Sequence, residues 1–178
     1  KRYSRGIVLK NEQPENIVDE MLSLWKKLDG HKLPVEKRKI LFVGEEISFA
    51  SRYRVEHFRE QLILRGYASR FIQMDQAEKE SLEEYEAIVL YRCSKLMEVE
   101  MLADRAKAAG IRVYYDIDDL VFDYEKIAGP HFLKGKEYSD FRTTAERIHG
   151  CMEFCDGYIT STETLAGVLR EEFSGKPV

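Results

Sequence analysis

The stretch Lys39 to Gly66, KILFVGEEISFASRYRVEHFREQLILRG, decides the fold. Ile40, Leu41, Phe42 and Val43 form an unbroken apolar run, the pattern of a strand covered on both faces, as in a parallel sheet. After a polar loop, Val55, Phe58 and Leu62 recur at helical spacing, and Gly66 supplies the left-handed stop. Strand, loop, helix and glycine make half of a βαβ unit, and such a half-unit calls for further parallel strands downstream.

The same rhythm continues outward from this stretch. Ser69 to Gln73 reads as a second strand, and an acidic surface segment from Asp75 to Glu86 leads to a third, Ala87 to Tyr91. Met97, Met101, Leu102 and Ala109 define a helix closed by Gly110, and Arg112 to Tyr115 is a fourth strand. A loop rich in Gly, Pro and aromatics runs from Asp123 to Tyr138, a length that often marks a binding loop or lid. Phe141, Ala145, Ile148 and Met152 make the next helix, and Tyr158 to Thr160 a short strand. Leu165, Val168, Leu169 and Phe173 line the last helix, with Thr160 and Glu163 at capping-box spacing. Upstream, Pro14 to Asp29 reads as a helix ended by Gly30, and His31 to Lys39 as a linker. The organisation expected is an N-terminal helical extension over residues 1–38 and an α/β, Rossmann-like three-layer domain with a mostly parallel sheet over residues 39–178.

Bulk properties narrow the function classes. A chain of 178 residues is long enough for one domain with a sizeable core. Its 44% hydrophobic and 34% charged content is that of a globular protein. The net charge of -4 gives no electrostatic reason to expect a nucleic-acid partner. The odd number of cysteines, Cys93, Cys151 and Cys155, fits a reducing compartment and small core residues better than a disulfide framework. No long apolar run and no signal segment is evident, so a cytoplasmic location is expected.

Chemistry concentrates beyond the carboxyl ends of the strands, where open parallel sheets bind ligands. Three loops meet there: Gly44 to Arg54, Tyr91 to Lys95, and Asp116 to Asp123. The last belongs to YYDIDDLVFD, residues 114–123, which sets four carboxylates among bulky apolar side chains. Asp116-x-Asp118 has the Asp-x-Asp form that holds a divalent cation in one class of nucleotide-sugar enzymes, since carboxylate oxygens suit magnesium or manganese. The plainer alternative is that Asp116 and Asp119 cap turn amides while Asp123 is solvated. In the first loop no Gly-x-Gly-x-x-Gly or Walker pattern appears, but Arg52 and Arg54 at a helix start offer two guanidinium groups to an anion. The competing reading leaves one arginine in water and pairs the other with Glu45, Glu46 or Glu56.

A receiver domain also alternates strands and helices, yet here the third strand ends in Tyr91-Arg92-Cys93, with no phosphoacceptor Asp. Of the histidines, His131 alone occupies the long loop and is a candidate contact.

Taken together, the motifs resemble the N-terminal domain of GT-B glycosyltransferases, in particular the large retaining group called glycosyl transferases group 1. The likeness covers roughly residues 39–178. SRYRVEHFREQLILRGY is similar to the family's first helix, IRVYYDIDDLVFD to its fourth-strand segment, and CDGYITSTETLAGVLREEFSGKPV to the stretch that enters the interdomain strand. Asp118 falls where many members have an acceptor-side His, and Asp119 matches the Asp beside it.

The resemblance implies one half of a GT-B fold, the acceptor-binding half of a nucleotide-sugar-dependent glycosyltransferase, inactive alone. Asp118 and Asp119 would be the catalytic pair that orients the acceptor; Arg52, Arg54, Arg92, Asp116, Asp123 and His131 would line the acceptor site. No metal and no cofactor is implied, because such enzymes stabilise the departing diphosphate with basic side chains and helix dipoles. The partners implied are a nucleotide-sugar donor, held mainly by a C-terminal domain beginning near Gly175-Lys176-Pro177-Val178, and a glycan or lipid-linked acceptor, with peripheral membrane association admitted. Tyr91, Tyr114, Tyr115, Phe122 and Tyr124 would supply stacking faces. The rival class is a non-catalytic flavodoxin-like interaction module in which the same acids cap turns.

Overall fold

The computed structural model describes residues 39–45, 51–127 and 136–178. The expected N-terminal helix and linker, and His131, lie outside these residues.

Five strands form one parallel sheet in the order β2-β1-β3-β4-β5. They are β1 (Lys39–Gly44), β2 (Ala68–Gln73), β3 (Tyr85–Tyr91), β4 (Arg112–Ile117) and β5 (Gly157–Thr160). The domain is therefore α/β and Rossmann-like, and the sheet is parallel throughout. A π-helical turn, Arg52–Glu56, in which the His57 amide donates to the Arg52 carbonyl, leads into α1 (His57–Leu64). A 3-10 turn (Met74–Lys79) follows β2; α2 (Met97–Ala108), α3 (Tyr124–Ile127), α4 (Lys136–Glu153) and α5 (Glu163–Glu172) complete the set.

Two cores result, one on each face. On one face Ile40, Phe42, Ala87, Val89, Tyr91 and Tyr114 pack against Val55, Phe58 and Leu62. On the other, Leu41, Val43, Ile88, Leu90, Tyr115 and Ile117 pack against Leu102, Ala106, Ile148, Met152 and Leu169. The division follows from handedness: right-handed crossovers put the helix of a leftward step and the helices of rightward steps on opposite faces. The chain steps from β1 to β2, then crosses to β3, so the strand order reverses between β1 and β3. That junction is the switch point at which such sheets bind ligands.

Several elements differ from the sequence reading. Strand β4 runs to Ile117 rather than Tyr115, so Asp116 is part of the sheet, opposite Tyr91 in register. The buried face of α2 is Val99, Leu102, Ala103 and Ala106, whereas Met97 and Met101 are exposed. The acidic stretch before β3 is not wholly on the surface: Ala77 is buried, and so is Glu80, which accepts from Tyr85 Oη at 2.6 Å and pairs with Arg70 at 3.1 Å. The N-cap of α5 is Thr162, whose Oγ1 accepts from the Leu165 amide at 3.2 Å, rather than Thr160. Gly66 and Gly110 do take left-handed backbone, with φ of 82° and 71°.

After α5 the chain returns along the outer edge of β5. The Tyr158 amide donates to the Pro177 carbonyl at 2.9 Å, and Lys176 Nζ donates to the Glu153 carbonyl at 2.6 Å. Gly157 permits the approach, because a Cβ there would stand 2.9 Å from Pro177 Cγ.

Candidate functional site

The carboxyl edge of β3 and β4 carries a cluster of ion pairs. Within β4, Asp116 faces α1 and would be an isolated charge in an apolar sheet. Arg54, projecting from the π-helical turn, meets it instead: Nη2 and Nε donate to Asp116 Oδ1 at 2.5 and 3.1 Å. The side chains are 13% and 2% exposed, so this pair is buried. Burial opposes both charges. For Asp116 burial outweighs the neighbouring guanidinium and keeps the carboxyl above its ordinary value. For Arg54, burial pulls down, but the attraction and hydrogen bonds of Asp116 outweigh it and the guanidinium is more firmly protonated than usual.

Arg92 follows β3 directly and has a φ of 49°, the left-handed region that a side chain adopts at a cost. The turn is held from below: its amide donates to the Asp116 carbonyl at 3.2 Å, and Tyr115 Oη donates to the Cys93 carbonyl at 2.7 Å. Its consequence is reach. Arg92 Nε donates to Asp118 Oδ1 at 2.6 Å, and Nη2 pairs with Asp119 Oδ2. Asp118 is 22% exposed and Asp119 62%, so these carboxylates lie at the solvent boundary. Ser161 Oγ donates to the Asp118 carbonyl at 3.4 Å and ties the end of β5 to the same edge.

The structure thus brings together Arg54, Arg92, Asp116, Asp118 and Asp119. Arg52 is exposed. Asp123 lies apart from them, with Phe122, Tyr124, Lys126, His149 and Glu172 around an open groove of about 500 Å³. The capping roles are the reverse of the plain sequence alternative. Asp116 and Asp119 are engaged by arginines, while Asp123 accepts from the Lys126 amide at 3.0 Å and pairs with Lys126 Nζ at 2.8 Å. Burial raises the Asp123 carboxyl and the Lys126 contacts lower it; the net direction is downward. Arg54 finds its partner in β4, and Glu56 pairs with Arg59.

Four of the aromatics expected to offer stacking faces do not: Tyr91, Tyr114 and Tyr115 are buried as strand residues of a doubly covered sheet, and Phe122, in the turn beyond β4, is buried in the second core. Tyr124 is half-buried, with the Arg142 guanidinium 4.9 Å from its ring centroid. Cys93, Cys151 and Cys155 are free and buried, and burial pushes their thiols up, which makes them inert packing residues. Among the described residues no group of three or more His, Cys, Asp or Glu side chains is arranged to hold a metal ion, and no helix is long and apolar enough to cross a membrane.

Sequence reasoning missed the groove beside α4. His149 Nε2 stands 3.0 Å from Glu172 Oε1, and its ring packs on Phe173 at 4.9 Å. The spacing of Glu146, His149 and Glu153 on one helix face was the available signal. Comparison with protein-family models and with curated proteins gives no match to this chain.

Proposed function

We propose that this domain is the acceptor-binding half of a nucleotide-sugar-dependent glycosyltransferase, transferring a sugar to a saccharide or other glycan acceptor. The observation that carries the reading is the pair Asp118 and Asp119, held side by side by Arg92 at the carboxyl edge of a parallel sheet, beside its switch point. Carboxylates fixed at a solvent boundary accept hydrogen bonds from sugar hydroxyls. Such bonds to a charged group contribute about 1.5–3 kcal/mol each, enough to orient an acceptor. The nucleotide would be bound mainly by a second domain, and this domain alone would not turn over.

The test is to assay the full-length protein for transfer across a panel of nucleotide sugars and glycan acceptors. Asp118→Asn should lower turnover or acceptor affinity about 10- to 100-fold, the equivalent of one charged hydrogen bond. Unchanged turnover and affinity in that variant would remove the role assigned to Asp118. A second reading, a non-catalytic flavodoxin-like interaction module, is favoured by the strand order, which is also that of flavodoxin-like folds, and by the pairing of both carboxylates with one arginine. Absence of transfer with every donor would favour it.

A further inference from the structure

The two faces of the sheet are covered unequally. One face packs against α2, α4 and α5, whereas on the other the core draws helical residues only from the π-helical turn and α1, among the described residues. Five strands about 4.8 Å apart make a sheet about 19 Å wide, and a helix about 10 Å across covers two of them. The turn and α1 also slant across that face. Arg54 reaches Asp116 of β4 at one end, and Arg59 Nε donates to Ser69 Oγ of β2 at 3.3 Å further along. At the opposite margin Pro177 stands beside Gly157 of β5. Between them lies the amino-terminal part of β3 and β4, with Ala87, Val89 and Tyr114 on this face.

That patch is sealed. Tyr114 is 1% exposed, and its hydroxyl oxygen is closed off from solvent along with the ring. Side chains stand roughly perpendicular to a sheet, so a strand tyrosine carries its hydroxyl up to the level of the covering layer. Closing it off takes chain at that height.

Three stretches lie outside the described residues: 1–38, 46–50 and 128–135. Residues 46–50 leave the carboxyl end of β1 and are too few for a layer, and 128–135 lead into α4, which packs on the opposite face. Residues 1–38 enter at Lys39, the amino end of β1, two strands from β4. The nine residues between Asp29 and Lys39 reach about 30 Å when extended, against about 10 Å for two strand spacings. Ahead of them Ile17, Met21, Leu24 and Leu28 recur at helical spacing; Val18 and Trp25 widen the stripe, and Glu15, Asp19 and Lys26 fall on the opposite side. Pro14 to Asp29 as a helix would measure about 24 Å, enough to cross a strand the length of β4, about 20 Å.

We propose that residues 14–29 form a helix seated beside α1, over the amino-terminal part of β3 and β4, with its apolar stripe packed on Val89 and Tyr114. The N-terminal extension is then a member of the domain's outer layer rather than an appendage to it. The cover bears on the edge cluster as well, because Tyr114 and Asp116 lie two residues apart on the same face of β4. This placement is independent of the chemistry assigned to the edge.

The experiment is methyl and aromatic NOE spectroscopy on the isotope-labelled full chain, repeated with filtering on an equimolar mixture of labelled and unlabelled chains. The Leu24 and Leu28 methyls should show contacts to the Tyr114 ring and the Val89 methyls, and the filtered spectrum should show none of them. Leu24→Ala should lower the thermal midpoint by about 5–15 °C, whereas Asp19→Ala, on the far side of the stripe, should leave it within about 2 °C. Contacts of Leu24 to Met97 and Met101 of α2 in place of Tyr114, contacts between chains only, or no contact to Tyr114 would each overturn the proposal. So would a Leu24→Ala midpoint equal to that of wild type. Should Leu24→Ala fail to fold, the contacts in the wild-type protein decide alone.

Discussion

Replacing Arg54 by methionine keeps most of its apolar stem but strips the compensating charge from Asp116, whose side chain is 2% exposed. The carboxyl then has two options. It can stay ionised and unpaired, which costs about 3–5 kcal/mol for a broken buried pair. It can instead take up a proton, which from an ordinary carboxyl pKa of about 3.9, at 1.36 kcal/mol per unit, costs about 4 kcal/mol at pH 7 and about 1.5 kcal/mol at pH 5. The cheaper option prevails, so Arg54→Met should lose about 3–4 kcal/mol at pH 7 and about 1.5 kcal/mol at pH 5, relative to wild type. The sign follows from the direction of the shift. Asp116 already has a raised pKa, so its native form binds the proton more tightly than the unfolded chain does. Stability from this group is greatest below the unfolded pKa and declines as pH rises through the native one. Removing Arg54 raises the native value further and deepens the decline. Urea unfolding of both proteins at pH 5, 6 and 7 reads the difference directly, and Arg54→Met combined with Asp116→Leu should recover most of it. A loss that is the same at every pH, or below about 1 kcal/mol at pH 7, would refute the claim that a buried charge is what Arg54 compensates.

Two further changes test local claims. Thr162→Ala removes the side-chain cap of α5 and should cost about 1 kcal/mol, seen as a thermal midpoint about 2–4 °C lower. Gly157→Ala places a methyl 2.9 Å from Pro177 Cγ and 3.1 Å from its carbonyl oxygen, so the C-terminal residues must move. Faster amide exchange at Tyr158, which donates to that carbonyl, should report the loss, with a cost of about 1–3 kcal/mol.

The strands were legible because continuous apolar runs such as Ile40 to Val43 need no knowledge of partners. Where β4 ends was not, since a charge usually marks a strand's exit. Asp116 stays in the sheet only because Arg54, 62 residues earlier, neutralises it, and no local pattern records that pairing. The same limit hid the grip of Arg92 on Asp118 and Asp119, which depends on a left-handed turn normally signalled by glycine. The packed face of α2 is not the one its methionines mark: Met97 is 67% exposed, and Val99, Leu102 and the small Ala103 and Ala106 do the packing. Candidate site residues were found as types at strand ends, and their grouping into one cluster required the register of β3 against β4.

The strand of residues returning beside β5 also bears on self-association. Endless stacking of sheets through backbone pairing demands two receptive borders per subunit, one to give and one to take. Here the chain's own Pro177 occupies one border at Tyr158, and among the described residues only β2 presents its outer margin, studded with exposed Ala68, Arg70 and Gln73. Among the described residues, growth by that route would stop at two molecules joined β2 to β2 for as long as the Tyr158–Pro177 contact holds.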